Sequence, residues 1–409
     1  TRCCDSVYIT GATTYLFPAE KPYVVLISGH SETPICLICP SSKTVLYFAR
    51  GLKLPAIAPR FSAHLAHYLF RTLGFAEKYN AFAASPERIA TDAPPSKITL
   101  KISGAPNFAN HIRNFYSGLQ RAIEYGNISN VEAYSFTGPA FFGELHDIFP
   151  ELKPLNWIKT VDGNGVDPSP FDRSKLVVPL GGAFTSEGLV RRVRKNCNRI
   201  VGDTPAEHRI IERIRASAIN IWFCIRVADK SWLEQESGIA EIISSLHADY
   251  PLANFILDGF SLPHGKTTVE GRWQGAFEKI SVTCQNIVSA CPPTASIVNL
   301  VGLSLPLAIS AAQYTHLYVS PLGTSHHKVA WFSSAEGIIY LPQSAKGKSV
   351  YGLQGTWDSE ISRLPDLIFA TADHAGERFG LSDHRAIVDN MSLDPLEIEH
   401  WLRSKLSIV

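Results

Sequence analysis

Between Ile297 and Leu341 three short apolar runs alternate with two helix-length segments. Ile297 to Val301 leads through a turn into a helix over Leu305 to Tyr314. His316 to Ser320 ends in Pro321-Leu322-Gly323-Thr324-Ser325-His326-His327, and a second helix runs to Ser333. Gly337 to Leu341 closes the unit. Runs too short for helices, spaced by helices, predict a parallel sheet with covering helices. A polar loop between a strand end and a helix start is where such a sheet binds phosphate, because backbone N–H groups and the helix dipole point there. The pattern therefore points to a nucleotide or sugar-nucleotide site in an enzyme.

The same alternation extends upstream. Strands are predicted at Asn220 to Val227 and Asn254 to Asp258, with helices at Trp232 to His247 and Thr268 to Ser289. The series is about the size of one Rossmann-like domain. The front half carries strand-like runs at Tyr23–Ser28, Thr44–Phe48, Lys97–Ile102, Val131–Phe136 and Leu176–Leu180. Helices are predicted at 60–74, 112–125 and 139–149. A chain of 409 residues exceeds one ordinary domain. The expected fold class is α/β, two Rossmann-like domains facing a cleft. Residues 1–205 would form the first domain and 206–345 the second, which holds the diagnostic loop. Residues 346–409 form an extension whose last helix (Pro395 to Leu406) would pack back on the first domain.

Several function classes lose support. Formal net charge is +1, so global electrostatics gives no argument for nucleic acid. The basic run Arg191 to Asn198 reads as a solvated helix face or interdomain element, or as a contact to phosphate or an acidic acceptor. No apolar run reaches the roughly 18 residues of a membrane span. Eight cysteines show no disulfide framework, and Cys36-Leu37-Ile38-Cys39 has no second ligand pair for zinc. Free buried thiols fit a reducing cytoplasm, and peripheral membrane association stays open. The chain starts at Thr1 and its one methionine is Met391, which reads as a trimmed protein or a piece of a longer one.

The residues around the diagnostic loop resemble a known family. Asn299-Leu300-Val301-Gly302, Ser304-Leu305 opening a helix, a strand, and then Gly323-Thr-Ser-His326 look like the donor half of GT-B glycosyltransferases, most similar to the heptosyltransferase type. Gly323 and His326 keep that family's Gly-x-x-His spacing. Pro321 and Leu322 stand where the family has an acid and a small hydroxyl. The match covers residues 220–342. The front half shows a looser likeness, Asn107-Phe-Ala-Asn110-His111 before a helix, to the acceptor-side helix of some polysaccharide glycosyltransferases. The resemblance implies GT-B architecture and a metal-independent glycosyltransferase of polysaccharide biosynthesis. Its partners would be a nucleotide-sugar donor and a glycan, glycolipid or protein acceptor.

Residue by residue, Gly323 permits close approach of an anion. Thr324 and Ser325 can cap the following helix and offer hydroxyls. His326, His327 and Lys328 would set imidazole and ammonium groups near a leaving diphosphate; the plainer reading is a capped helix start with exposed histidines. Ser304 opens the preceding helix. Arg226 and Lys230 follow the first strand of the second unit, as donor ligands or as exposed loop charges. Asp258 would bind a ribose hydroxyl or fix a loop. His111 is the first candidate for the base that an inverting transfer needs, with Glu144 and His146 as alternatives. Asn107 and Asn110 would orient acceptor hydroxyls. The chain has no Asp-x-Asp motif, so no metal or other cofactor is expected. Two other readings remain: a non-catalytic sugar- or nucleotide-binding module of a larger protein, and a sugar-nucleotide epimerase of the same architecture. A dehydrogenase is disfavoured because no Gly-x-Gly-x-x-Gly follows a predicted strand.

Overall fold

The computed structural model describes residues 6–10, 13–17, 23–27, 35–39, 44–48, 97–103, 107–124, 127–159, 175–179, 185–269, 271–345, 363–374 and 389–407. The helix expected at 60–74 lies outside the described residues. Two compact units emerge. One comprises Thr1–Gly104, Arg113–Thr137 and Pro154–Ala183; the other comprises Ala105–Ile112, Gly138–Lys153 and Phe184–Val409.

The first unit holds two sheets. Strands β1 (Ser6–Thr10), β2 (Thr13–Phe17), β3 (Tyr23–Ile27), β4 (Ile35–Cys39) and β5 (Thr44–Phe48) pair antiparallel, each with the next. The cause is the shortness of the links: parallel pairing needs a crossover of about a dozen residues or more. This corrects the expectation of a wholly Rossmann-like front half. Strands β6 (Lys97–Ser103), β7 (Val131–Thr137), β8 (Asn156–Lys159) and β9 (Lys175–Pro179) form a parallel sheet in the order β8-β7-β6-β9. In the second unit, where a helix was expected over 139–149, only Leu145–Ile148 is α-helical. Gly138 (φ 123°) and Gly143 (φ 92°) take backbone angles no helix accepts.

The second unit is built on six parallel strands: β10 (Asn220–Cys224), β11 (Asn254–Asp258), β12 (Ser296–Asn299), β13 (Leu317–Pro321), β14 (Glu336–Leu341) and β15 (Asp366–Phe369). Their order is β12-β11-β10-β13-β14-β15. Strands β10, β11 and β13 are buried along their whole length, as a sheet covered on both faces requires. Helices α1 (Glu187–Gly202), α2 (Pro205–Arg215), α3 (Gln235–Asp249), α4 (Gln274–Ala290), α5 (Leu305–Ala312) and α6 (Pro395–Leu406) accompany this sheet. Ile221, Phe223, Phe255, Leu257, Leu317 and Val319 share one core with Ile239, Ile242, Ile243 and Leu246 of α3. Each such side chain stabilises the fold by roughly 1.5–3 kcal/mol when fully buried.

Two boundary expectations change. The contact boundary falls at 183/184, not 205, so α1 belongs to the second unit. On α1 the basic run splits by face: Val193 and Cys197 are buried, Arg191 and Lys195 exposed. Arg192 forks onto both oxygens of Glu151 at 3.0 and 2.6 Å. Helix α6 falls within the second unit and packs on α3. Ile398, Leu402 and Leu406 enter the α3 core, and Arg403 bonds Asp249 (2.5 Å) and Glu399 (2.7 Å). Among the described residues no helix is long and apolar enough to cross a membrane. Cys197, Cys224, Cys284 and Cys291 are free and buried, and burial pushes their thiols up, Cys224 to about 12, which leaves them protonated and inert.

Candidate functional site

From β10 the chain steps outward to β11 and β12 on one side, then returns to β13 on the other. The loops leaving β10 and β13 therefore diverge, and open α/β sheets bind ligands in the crevice this creates beyond the strand ends. Both loops carry residues singled out above.

After β10 the loop is tightly shaped. Ala228 (φ 78°) and Lys230 (φ 56°) are the positive-φ residues other than glycine among the described residues. Such conformations cost about 1–3 kcal/mol each and persist only where the surroundings enforce them. Here Asn390 Oδ1 accepts from the Ser231 amide (3.0 Å), and the Met391 amide donates to the Ser231 carbonyl (2.9 Å). Gln235 grips the Arg226 backbone, donating to its carbonyl at 2.8 Å and accepting from its amide at 3.3 Å. Asp229 takes one edge of the guanidinium, its backbone oxygen accepting from Nε (2.7 Å) and its carboxylate from Nη2 (2.6 Å). The opposite corner, Nη1, faces Gly323: a Cβ built there would lie 3.0 Å from it. Arg226 and Gly323, 97 positions apart by their numbers, thus meet across the crevice.

The β13 loop offers donors. Among the described residues the backbone N–H groups of Gly323, Thr324 and Ser325 have no protein acceptor, and the Ser325 hydroxyl is buried without a partner. Gly323 takes φ 154°, outside the range a side chain adopts comfortably. The helix that follows is a single turn, His327–Ala330, with His326 at its N-cap and no side-chain cap. Thr324 and Ser325 therefore do not cap it as expected. Their carbonyls accept instead, from His327 N (3.2 Å) and Lys328 N (3.3 Å). One turn carries little dipole, so any anion affinity rests on the loop amides and nearby cations.

The histidines are not solvent-exposed as the plainer reading had them. His326 is 2% exposed. Burial, helped by Lys230 and Arg226 nearby and opposed by a hydrogen bond to the Pro321 carbonyl, brings its pKa down to about 3. It is neutral at neutral pH. His327 is also buried and stacks on Trp331, ring centroids 3.9 Å apart. Lys328 is turned away into the protein. Its ammonium donates to both oxygens of Asp258 at 2.9 Å, to Gly259 O at 2.8 Å and to Ser261 Oγ at 2.8 Å. Asp258 is fully buried, with no oxygen left for a ribose. Burial pushes its carboxyl up and the Lys328 ammonium opposes that. That pair cancels in charge; the cations on the crevice side are Arg226, itself paired with Asp229 at 2.6 Å but with Nη1 turned to Gly323, and Lys230.

The remaining candidates take other places. Ser304 caps α5, its Oγ accepting from Leu307 N at 3.1 Å. Asn107 caps the turn Phe108–Asn110, accepting from Ala109 N at 2.9 Å, and Asn110 is half-buried. His111 is 0% exposed and sits edge-on to Phe141, centroids 4.9 Å apart. It opens a π-helical turn, His111–Tyr116. A ring so enclosed presents no nitrogen to an incoming hydroxyl. Glu144 is exposed. Among the described residues no group of three or more His, Cys, Asp or Glu could hold a metal ion. Sequence reasoning missed Asp229 and Gln235 as holders of Arg226, and the pairing of Lys328 with Asp258.

No known protein-family profile matches the chain, and no curated protein matches it. Solved structures do. A glycosyl transferase family 9 protein from Veillonella parvula aligns with 9% identity and TM-score 0.40, covering 67% of this chain and 86% of that one. NodZ α-1,6-fucosyltransferase, co-crystallised with GDP, aligns with 10% identity and TM-score 0.32 over 58% and 92%. UDP-GlcNAc 2-epimerase from Methanocaldococcus jannaschii aligns with 9% identity and TM-score 0.32 over 76% and 100%. At these TM-scores the similarities carry no argument about activity.

Proposed function

We propose that the chain is a metal-independent glycosyltransferase whose donor diphosphate sits against the Gly323–Ser325 loop. One observation carries this reading: three consecutive backbone donors without protein acceptors among the described residues, faced by Nη1 of an arginine held from behind, at the switch point of a parallel sheet. Consecutive N–H groups and a fixed guanidinium suit phosphate oxygens. Sugar transfer, as distinct from nucleotide binding alone, is supported by the sequence resemblance of residues 220–342 to GT-B donor halves.

In this scheme the bond between the anomeric carbon and the phosphate oxygen breaks, and negative charge gathers on the leaving diphosphate. Arg226, Lys230 and the loop amides stabilise that charge, a role in which preorganised donors act most strongly. A transfer that inverts needs a base for the acceptor proton. Glu144, exposed where His111 is enclosed, takes that role.

The test is nucleoside diphosphate release from a panel of nucleotide sugars, with and without acceptor glycans, in wild type and Gly323→Val. The branched side chain would displace Arg226 and cover the amides. Acceptor-dependent release that Gly323→Val abolishes, at an unchanged melting temperature, is the expected result. Turnover without an acceptor would indicate an epimerase. Unchanged nucleotide affinity in Gly323→Val would remove the loop from the site.

A further inference from the structure

The Asp258–Lys328 pair has no part in the scheme above, yet it is an expensive feature to bury. The side chains are 0% and 3% exposed. The three protons of the ammonium meet four acceptors, two on the Asp258 carboxylate and one each on Gly259 and Ser261. Neither partner has a polar atom left for a ligand. Desolvation offsets most of the attraction within a buried ion pair, so stability alone is a weak reason for one; specifying a single arrangement is the better attested use.

The arrangement specified here is legible from the fold. Asp258 is the last residue of β11, and Ser261 lies in the loop after it. Lys328 is the second residue of the turn directly behind Gly323–His326. Strand β10 lies between β11 and β13, so the bond reaches past the end of β10, and the Ile225 amide also donates to the Asp258 carbonyl. Among the described residues the amides of the Gly323–Ser325 segment donate no backbone hydrogen bond that would hold it. Its carbonyls tie it to the turn that follows, Thr324 O accepting from His327 N and Ser325 O from Lys328 N; what anchors segment and turn to the sheet is Leu322 N on the Tyr340 carbonyl at 3.2 Å and the Lys328 side chain on Asp258.

We propose that Lys328 and Asp258 are positioning residues that hold the Gly323–Ser325 amides in a single arrangement ready for the diphosphate. The inference rests on the reading of those amides as the diphosphate seat. It assigns the pair no contact with substrate.

The double variant Asp258→Asn/Lys328→Met removes both charges and leaves neither one stranded. Two quantities are measured: hydrogen exchange, without ligand, of the amides of residues 327–330, which donate to the Thr324, Ser325 and His326 carbonyls, and the Kd of whichever of UDP, GDP or ADP binds wild type most tightly. Loop exchange should rise about ten-fold or more while β10, β11 and β13 keep wild-type protection. Kd should rise about ten-fold or more. A role in stability alone would lower the melting temperature and leave both quantities in place. If the double variant fails to fold, Ser261→Ala removes one of the four acceptors without touching a charge and should raise loop exchange to a smaller degree. Unchanged loop exchange overturns the inference, and so does an unchanged Kd. A wild type that binds none of the three nucleotides defeats the functional reading instead, and loop exchange still decides whether the pair orders the loop.

Discussion

His326 makes a prediction that can be worked through. Its folded pKa is about 3, lowered chiefly by burial from an ordinary 6.5. Between those values the unfolded chain takes a proton at this ring that the folded chain refuses. A base depressed in the folded state therefore contributes stability that is full above pH 6.5 and is lost as pH falls toward 3. The loss is about 1.4 kcal/mol for each pH unit. Other titrating groups also bend the pH profile, but they largely cancel between wild type and His326→Gln. The stability advantage of wild type over the variant should thus shrink by about 1.4 kcal/mol per unit from pH 6 to pH 4. Urea unfolding followed by tryptophan fluorescence at half-unit steps measures it. A difference that does not change with pH would mean that the ring is solvated or already charged when folded. The assignment of the crevice charge to Arg226 and Lys230 would then fail.

Two further outcomes follow from side-chain placement. Lys328→Met alone leaves Asp258 buried without its cation and should cost about 3–5 kcal/mol in chemical denaturation; a loss below about 1 kcal/mol would mean that water reaches the pair. His111→Ala empties a fully buried site against Phe141 and should lower the melting temperature while sparing turnover, whereas Glu144→Gln should cut turnover roughly 10²- to 10⁴-fold; the reverse pattern in a coupled release assay would restore His111 as the base.

Much of the second unit could be read from sequence because buried parallel strands are continuous apolar runs. The run expected at His316–Ser320 is β13 at Leu317–Pro321, and Gly337–Leu341 is the body of β14. Apolar runs do not reveal pairing direction, so Tyr23–Ile27 looked like any other strand; only the short links around it signalled an antiparallel sheet. In the site, Gly323 was legible because glycine announces its backbone freedom. Ala228 and Lys230 were not, because tertiary contacts impose left-handed angles on residues with no preference for them. Lys328 was read as a phosphate cation because a sequence shows charge without direction. Its partner lies 70 positions away, beyond any local spacing rule. His326 was misjudged for a related reason: burial, which sets its charge, is a property of the fold.

The central claim is that Arg226 and the Gly323–Ser325 amides form an anion seat, and isothermal titration of UDP, GDP and ADP into wild type and Arg226→Met tests it directly. Arg226 is a loop residue with its side chain 25% exposed, so its replacement should leave the sheet intact. A charge-assisted hydrogen bond contributes about 1.5–3 kcal/mol, which corresponds to a Kd raised roughly ten- to hundred-fold. The account predicts that wild type binds at least one of the three nucleotides and that Arg226→Met weakens it by that factor. Absence of binding in wild type, or equal affinity in the variant, would contradict it.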